Sequence, residues 1–382
     1  MSKNAVPEWL RPEDGVLVVG AGIGGLCLAQ GLQRAGIPCA VYERDESPES
    51  RLQGYRLHID GTGIHALREV LPDELYARFE ATSLRPRPTV PRYDDQLALQ
   101  SVTEFPEPGV NVNRMTLRHI LLSGLDGVRF GKRLTRYESD ADGVTAYFAD
   151  GTTARGGVLV GADGVNSPVR RQYLPHARIE DTGLRQLYGK IPLHEATRPL
   201  FDDEMHAVFS MILGPGHTMV GVAPVAHPEP FMTCSVGLRR EAIGLSDEEL
   251  AGLSGEQLRE LALAQVAGWH PRVRAMVSSW ALETVFPLVI RTSVPFAPWV
   301  STRVTLLGDA IHAMSPAAGA GANAALRDGA ALASALREGP DAAVAEGAIT
   351  AYEEAMLAHG FAAVRESAAN GRQFHGQDPL PV

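Results

Sequence analysis

The feature of this chain that most restricts its fold is a glycine-rich segment near the N-terminus. The apolar run Val16-Leu17-Val18-Val19 is typical of a buried parallel strand, and it leads directly into Gly20-Ala21-Gly22-Ile23-Gly24-Gly25. Leu26, Leu28 and Leu32 then follow at helical spacing. The sequence therefore predicts a strand, a tight turn and a helix, which together begin a βαβ unit.

The spacing of the glycines matches the G-x-G-x-x-G pattern of dinucleotide-binding turns. Gly20 would permit the tight turn, Gly22 would let the backbone approach a pyrophosphate, and Gly25 would let helix and strand pack closely. The second apolar run, residues 40–42, ends at Glu43, whose carboxylate is placed to accept hydrogen bonds from ribose hydroxyls. The alternative is a glycine-rich turn that binds no ligand. The combination of strand, helix and acidic residue favours a dinucleotide.

The region after the second strand departs from a nicotinamide-binding Rossmann domain, in which the βαβ alternation continues. Residues 51–60 contain a glycine turn and an alternating strand, and residues 83–108 are proline-rich and predict an extended excursion. Residues 113–122 predict a helix that carries Arg114 at its start and Arg118 one turn later. The dinucleotide is therefore expected to be one other than a resident NAD.

Two further segments continue the buried-strand pattern. Asp150-Gly151 predicts a hairpin between residues 144–148 and 152–154. The run Val158-Leu159-Val160 predicts a buried strand that ends at Gly161-Ala162-Asp163-Gly164.

Between about residues 178 and 279 the pattern changes to half-alternating strands separated by glycine and proline, which favours a largely antiparallel sheet with one covered face. Ser246, followed by three acidic residues, predicts a helix start, and residues 281–291 predict a strand that returns to the first domain. The predicted strands of the intervening sheet are residues 184–193, 205–213, 217–223 and 231–238.

Late in the chain, residues 304–307 predict a buried strand that enters Gly308-Asp309 and a run of small residues extending to Asn323. The small residues leave backbone open for a large group to approach. For residues 317–325 the alternative is a run of good helix formers with glycine packing.

Three of these motifs stand in a fixed order: the glycine turn with Glu43, the segment Gly161-Ala162-Asp163-Gly164, and Gly308-Asp309 with the loop to Asn323. Together they resemble the single-component FAD-dependent aromatic hydroxylases, the family with the p-hydroxybenzoate hydroxylase fold. The helix at residues 113–122 is similar to that of the tetracycline-inactivating monooxygenases within the group. The resemblance implies an α/β protein with a Rossmann-like FAD-binding domain and an inserted, largely antiparallel β-sheet substrate domain. We expect the FAD-binding domain to comprise residues 1–177 and 280–382, and the substrate domain residues 178–279.

The resemblance also implies positions for FAD. The glycines would lie under its pyrophosphate, Glu43 on the adenosine ribose, Asp309 on the ribityl chain, and residues 316–323 beside the pyrimidine edge of the flavin, where free amides stabilise the anionic reduced ring. Arg118 has the alternative of bracing the helix. The FAD-binding residues implied in this way are Gly20, Gly22, Gly24, Gly25, Glu43, Arg44, Arg114, Arg118, Asp163, Asp309, Pro316, Gly319, Gly321, Ala322 and Asn323.

The activity that the resemblance implies is monooxygenation. NADPH or NADH, docking transiently, reduces FAD; O2 adds at the flavin C4a, and the hydroperoxide transfers one oxygen atom to an apolar, aromatic or polycyclic metabolite, which is hydroxylated or epoxidised. One alternative is a flavin-dependent halogenase, although no W-x-W-x-I-P motif is present. Another is a flavin-binding protein that performs no oxygenation.

Side chains that assist the reaction are harder to assign. Lys190 and Arg56 are the catalytic candidates. Lys190, where the resemblance implies a basic residue on the first strand of the substrate domain, could hold an acidic substrate or a phenolate, and its alternative is a solvated lysine. Arg56, on the strand after Gly54, could meet an NADPH phosphate or the substrate, and its alternative is a surface ion pair. His58, His206 and His217 fit a pocket or structural sites equally well. An apolar substrate pocket, with packing as the alternative, is expected from Phe209, Met211, Met219 and Met232.

Composition excludes several other classes of function. A net charge of −10 argues against nucleic acid and anionic membranes as partners, and leaves a small-molecule substrate and O2. The three cysteines lack CxxC spacing, so neither a metal site nor a disulfide framework is expected. The sequence has neither a membrane span nor an apolar signal-peptide core in residues 1–14, so we expect a cytoplasmic protein. We expect it to be a monomer or a weak homodimer.

Overall fold

A computed structural model describes residues 15–50, 55–104, 109–337 and 342–381; the predicted glycine turn at Gly54 lies outside these ranges. The strands are β1 (Val16–Val19), β2 (Cys39–Tyr42), β3 (Arg56–Ile59), β4 (Thr89–Asp94), β5 (Leu99–Glu104), β6 (Val110–Asn113), β7 (Val128–Arg129), β8 (Leu134–Asp140), β9 (Gly143–Phe148), β10 (Thr153–Gly156), β11 (Val158–Gly161), β12 (Ile179–Pro192), β13 (Ser210–Leu213), β14 (Met219–Val225), β15 (Phe231–Arg239), β16 (Phe286–Ser293) and β17 (Val304–Leu306). The α-helices are α1 (Ile23–Arg34), α2 (Gly61–Val70), α3 (Asp73–Ala81), α4 (Arg114–Leu122), α5 (Pro168–Tyr173), α6 (Asp247–Ala251), α7 (Gly255–Gln265), α8 (Pro271–Ser278), α9 (Asp309–His312), α10 (Gly321–Arg337) and α11 (Ala342–His375).

The first sheet is parallel and has the strand order β17-β11-β1-β2-β7. β1 and β11 are buried along their whole length, as their continuous apolar runs predict. The last residues of four strands, Tyr42, Val19, Gly161 and Leu306, lie side by side in the ladder. The loops that follow these strands therefore meet at one edge of the sheet, where α/β proteins bind their ligands.

The second sheet has seven strands in the order β16-β12-β15-β14-β13-β4-β5, and every neighbouring pair except β13 and β4 is antiparallel. The predicted antiparallel sheet is thus confirmed. It also includes β4, β5 and β16, which lie outside residues 178–279, so the sheet extends beyond the bounds expected for the substrate domain. The proline-rich excursion contributes β4 and β5 as a hairpin.

The predicted strand at residues 205–213 is confirmed only for its second half. β13 begins at Ser210, because the residues before it form turns, in one of which Asp202 Oδ1 accepts a hydrogen bond from the Met205 N–H at 2.9 Å. The helix start at Ser246 is confirmed. Its hydroxyl accepts from the Glu249 N–H at 3.2 Å, and the Glu249 carboxylate accepts from the Ser246 N–H at 2.8 Å.

Two apolar clusters hold the fold together, one around the first sheet and one between the second sheet and the helices α6 to α8. α10 packs across α1 at small residues: a Cβ on Gly24 would lie 2.9 Å from Ala325 O, and one on Gly329 would lie 2.7 Å from Gly24 O. Glycine at these positions thus lets the two helices approach closely. None of the helices in the described ranges is long and apolar enough to cross a membrane.

Candidate active site

The glycine turn after β1 contains one position that faces open space. Gly20 has φ +111°, and a Cβ there would lie 2.3 Å from Ala162 O; a Cβ on Gly25 would lie 2.2 Å from Gly20 O. By contrast, a Cβ on Gly22 would have only Ala162 O nearby within the described ranges, at 4.0 Å. Packing therefore requires glycine at 20 and 25 but not at 22. The open space at Gly22, at the N-terminus of α1, fits the pyrophosphate of a dinucleotide.

Glu43 and Arg118 hold this turn in place. Glu43 Oε2 accepts a hydrogen bond from the Ala21 N–H at 2.7 Å, and Arg118 Nε donates to the Ala21 carbonyl at 3.1 Å. Arg118 Nη1 also donates to Pro48 O at 2.7 Å, and the Arg118 side chain is buried. Arg118 thus links α4 to the glycine turn and to Pro48, and its contact with FAD stays a prediction. Each Glu43 oxygen retains acceptor capacity that a ribose hydroxyl could use, and Arg44 beside it is partly exposed.

Asp163 lies beyond β11 at the same edge of the sheet. Its Oδ2 accepts from the Val169 N–H at 3.2 Å, whereas its Oδ1 is buried without a hydrogen-bond partner among the described residues. Burial raises the pKa of Asp163, against the opposing effect of hydrogen bonds from Ser167 and Val169. Arg170, to which the sequence assigned no role, donates from Nη1 to Ala310 O at 2.8 Å. Arg170 thus ties the Asp163 loop to α9.

Asp309 is the first residue of α9 and follows β17 at the edge of the first sheet where the loops meet. Arg114 and Tyr55 connect it to the second sheet, because Arg114 acts on the Asp309 carboxyl and lies over the Tyr55 ring, which stacks on Tyr188. The region between Asp309 and this face of the second sheet is called the cleft below. Its side chain is accessible, yet protein surrounds it closely enough that burial raises its pKa, while His312 and Arg114 oppose the rise. A Cβ on Gly321 would lie 3.9 Å from Asp309 Oδ1, which places the carboxyl beside the start of α10. Arg114, at the start of α4, has its guanidinium carbon 5.6 Å from the centre of the Tyr55 ring.

The loop between α9 and α10 presents open backbone. Pro316 begins a short 3-10 turn and is exposed, and Gly319 adopts a left-handed conformation with φ +66°. A Cβ on Gly319 would have no atom of a described residue within 4 Å, and Gly321 and Ala322 are partly exposed. A flat ring could therefore approach this backbone, as the resemblance implies for the flavin edge.

The side chain of Asn323 is used within the protein. Its Oδ1 accepts from the Asp60 N–H at 3.1 Å, and its Nδ2 donates to His58 O at 3.0 Å and to Gly319 O at 3.2 Å. Asn323 therefore ties the open loop to the end of β3. The contact with FAD that the resemblance implies for Asn323 is therefore assigned to its backbone.

A buried cluster behind the Gly308–Asp309 turn was missed from the sequence. His312 Nε2 lies 2.6 Å from Asp328 Oδ2 and His359 Nε2 lies 2.9 Å from Asp328 Oδ1, while the Gly308 N–H donates to Asp328 Oδ2 at 2.8 Å. Burial alone would raise the pKa of Asp328, but the charge and hydrogen bonds of the histidines hold it below its usual range. Burial alone would likewise lower the pKa of His312, but Asp328 raises it. The sequence signal that could have indicated this cluster was Asp328, a single carboxylate in the alanine-rich helix α10.

The opposite wall of the cleft is formed by the second sheet and is aromatic. Tyr188 stacks on Tyr55, with ring centres 5.5 Å apart, and on Phe286, also at 5.5 Å. Phe209 covers Gly221, where a Cβ would lie 3.1 Å from the Phe209 ring. The guanidinium carbon of Arg56 is 5.0 Å from the centre of the Phe209 ring. This wall is suited to planar apolar molecules.

Three of the four predicted pocket residues share the face that lines the cleft. Met211 pairs with Gly221 across the ladder, and Met219 precedes Gly221 by two residues, so both lie on the face that Phe209 covers. Met232 does not. It is fully buried in the second apolar cluster on the opposite face, because side chains alternate along β15. Its placement in the pocket is therefore corrected.

Lys190 lies two residues beyond Tyr188 on β12 and so on the same face. Its Nζ is 4.8 Å from the centre of the Phe231 ring, and burial lowers its pKa while Glu283 opposes this effect. His58 Nδ1 lies 3.3 Å from Asn111 Oδ1. His206 and His217 are at positions away from these contacts: His206 Nε2 is 3.1 Å from Arg198 O, and His217 packs beside Gly376.

The chain matches the family model described as FAD binding domain over residues 13–367. It is 33% identical to the dual O-methyltransferase/FAD-dependent monooxygenase elcB of Phaeosphaeria nodorum, over 85% of this chain but only 40% of that protein. Thus the chain spans less than half of this relative. It is 31% identical to the FAD-dependent urate hydroxylase of Klebsiella pneumoniae, over 86% of this chain and 83% of that protein.

Among solved structures, Klebsiella pneumoniae HpxO complexed with FAD and uric acid superposes with a TM-score of 0.80 at 27% identity, covering 96% of this chain and 90% of that one. The open position at Gly22, the acidic groups at the sheet edge and the exposed loop before α10 agree with a cofactor of this kind. The chain therefore belongs to the FAD-binding family of FAD-dependent monooxygenases.

Proposed function

We propose that the protein uses NADPH or NADH and O2 to hydroxylate or epoxidise an apolar, aromatic or polycyclic small molecule. The observation that carries the proposal is the connection of Asp309, beside the open loop before α10, through Arg114 to the stacked rings of Tyr55, Tyr188 and Phe286. When bound, FAD would supply the hydride and oxygen chemistry. The partners proposed are thus a small-molecule substrate and O2.

The residues of this chain would bind and position the reactants. Gly22 and the N-terminus of α1 would accept the pyrophosphate, and Asp309 would accept a hydrogen bond from a hydroxyl of the cofactor. Tyr188, Phe286 and Phe209 would hold a planar substrate and exclude water from the cleft. The name of the Klebsiella relative, a urate hydroxylase, supports a flat, conjugated substrate for this cleft.

The proposal is tested by measuring NADPH and NADH oxidation and O2 consumption by the FAD-loaded protein, with a panel of phenolic and polyketide-like compounds. We expect at least one compound to stimulate both rates and to yield a product heavier by one oxygen atom. Tight FAD binding without any oxidation of NADPH or NADH, with or without compounds, would refute the proposal.

Replacing Asp309 with asparagine is expected to weaken FAD binding about 10- to 100-fold, because a charged hydrogen-bond acceptor contributes about 1.5–3 kcal/mol and the amide keeps the shape of the side chain. The measurement is titration of the apoprotein with FAD. Asp203, which is exposed, supplies the control Asp203→Asn, expected to bind FAD like the wild type. Unchanged affinity in Asp309→Asn would contradict the assignment.

A further inference from the structure

The guanidinium of Arg56 is a charge in the cleft that no carboxylate in the described part of the chain neutralises. Arg56 Nη1 donates to the side-chain oxygen of Asn111 at 2.9 Å, and the group stacks on Phe209. Among the residues that the structure describes, no carboxylate forms an ion pair with Arg56. A cation removed from water is costly unless an anion accompanies it.

Arg56 is partly exposed, so its guanidinium keeps some contact with water, but protein packs closely around it. This partial burial lowers the pKa of Arg56 to about 10, with Tyr188 as the opposing influence. Its acceptor among the residues with described positions, Asn111 Oδ1, also lies 3.3 Å from His58 Nδ1, so a single neutral oxygen serves two donors. A guanidinium carries five N–H groups, and most of those on Arg56 have no acceptor in the described structure.

We propose that Arg56 binds an anionic oxygen of the substrate and thereby makes the enzyme selective for acidic aromatic compounds, such as ring carboxylates, phenolates or enolates. The inference rests on the proposed function, because it assigns a specificity-determining residue in the same cleft. The planar guanidinium matches a carboxylate with two parallel hydrogen bonds. Phe209 and Tyr188 flank it with the aromatic surface on which the attached ring would lie.

An anionic oxygen could also come from the phosphates of NADPH or FAD, so the experiment must separate the three sources. The proteins are the FAD-loaded wild type, Arg56→Met, Arg56→Lys and the control Arg68→Met. Arg68 has the same stacking geometry, with its guanidinium carbon 5.0 Å from the centre of the Tyr76 ring, but it is on the exposed surface of α2.

The probes are benzoate, 2-naphthoate and anthracene-2-carboxylate, each with its methyl ester. Dissociation constants are measured from the change in flavin absorbance.

We expect the wild type to bind at least one acid about tenfold more tightly than its ester, the ratio that a charged hydrogen bond provides. Arg56→Met should lose this preference while its affinity for the ester stays within about twofold. Arg56→Lys, which keeps the charge without the planar fork, should retain part of the preference, and Arg68→Met should match the wild type.

The proposal is overturned if the wild type prefers no acid over its ester, or if Arg56→Met keeps the preference. It is also overturned if Arg56→Met changes only FAD retention or the KM for NADPH, because these outcomes assign Arg56 to a cofactor phosphate. The failure of the proposed function would look different. In that case the acid preference would depend on Arg56, yet no compound would stimulate NADPH or NADH oxidation.

Discussion

Replacing Asp328 with alanine is expected to lower the free energy of unfolding by about 3–5 kcal/mol, which is the effect of removing one partner from a buried charged pair. The variant leaves His312 and His359 without their acceptor and the Gly308 N–H without its hydrogen bond. Urea unfolding of the apoprotein at pH 7 measures the change. Asp203→Ala, at an exposed position, is the control, expected to change stability by less than about 0.5 kcal/mol. A similarly small change for Asp328→Ala would contradict the prediction.

The difference in the free energy of unfolding between the wild type and Asp328→Ala should depend on pH. The pKa of Asp328 is lowered by folding, so its contribution to stability is present above the unfolded-chain value of about 4 and is lost as pH falls. The pKa of His312 is raised by folding, so its contribution is present below about 6.5 and is lost as pH rises through the folded-state value. The difference between the wild type and Asp328→Ala should therefore be largest between about pH 4 and pH 6.5. A difference that is constant from pH 3 to pH 9 would show that the cluster does not titrate in this way.

Gly22→Asp is expected to weaken FAD binding at least 100-fold, about 2.7 kcal/mol or more, while the apoprotein remains as stable as the wild type. Aspartate is a favourable residue at a helix N-cap, and φ of −76° at Gly22 suits any residue. The new side chain would occupy the open space with a negative charge where the pyrophosphate is expected.

Gly25→Ala is the matched comparison within the same turn. Its Cβ would lie 2.2 Å from Gly20 O, so we expect the apoprotein itself to lose about 1–3 kcal/mol of stability. FAD titration and urea unfolding of both variants separate loss of the ligand site from loss of the fold. Retention of FAD by Gly22→Asp would place the pyrophosphate elsewhere.

The parts of the fold that could be predicted were those encoded over short distances. The strand before Gly20, the helix after it and the helix start at Ser246 each depend on neighbouring residues, and the structure confirms them. The face on which Met232 lies could not be predicted with equal security, because moving the register by one residue exchanges the two faces of a strand. The partnership of Asp328 with His359 depends on how α10 packs on α11, which no local pattern encodes.

The role proposed for Arg56 likewise depends on tertiary packing and could not be predicted from the local sequence. An arginine on an alternating strand is ordinary in sequence. Its significance arises from the absence of a carboxylate around it in the described structure and from the Phe209 ring brought to it by the second sheet. The lack of a carboxylate partner among the described residues depends on how β3, which pairs with β6, lies against the second sheet, so it could be recognised only in the folded structure.

Asn323 connects two segments of the cleft, the open loop before α10 and strand β3. Its amide joins the open loop at Gly319 to the end of β3 through hydrogen bonds to His58 and Asp60. Arg56 is on that same short strand, two residues before His58. A displacement of the loop, such as a cofactor would cause on binding, is therefore expected to shift β3 and with it Arg56, which stacks on Phe209. The loop and β3 are thus expected to move together, so that binding of the cofactor beside the loop changes the position of Arg56.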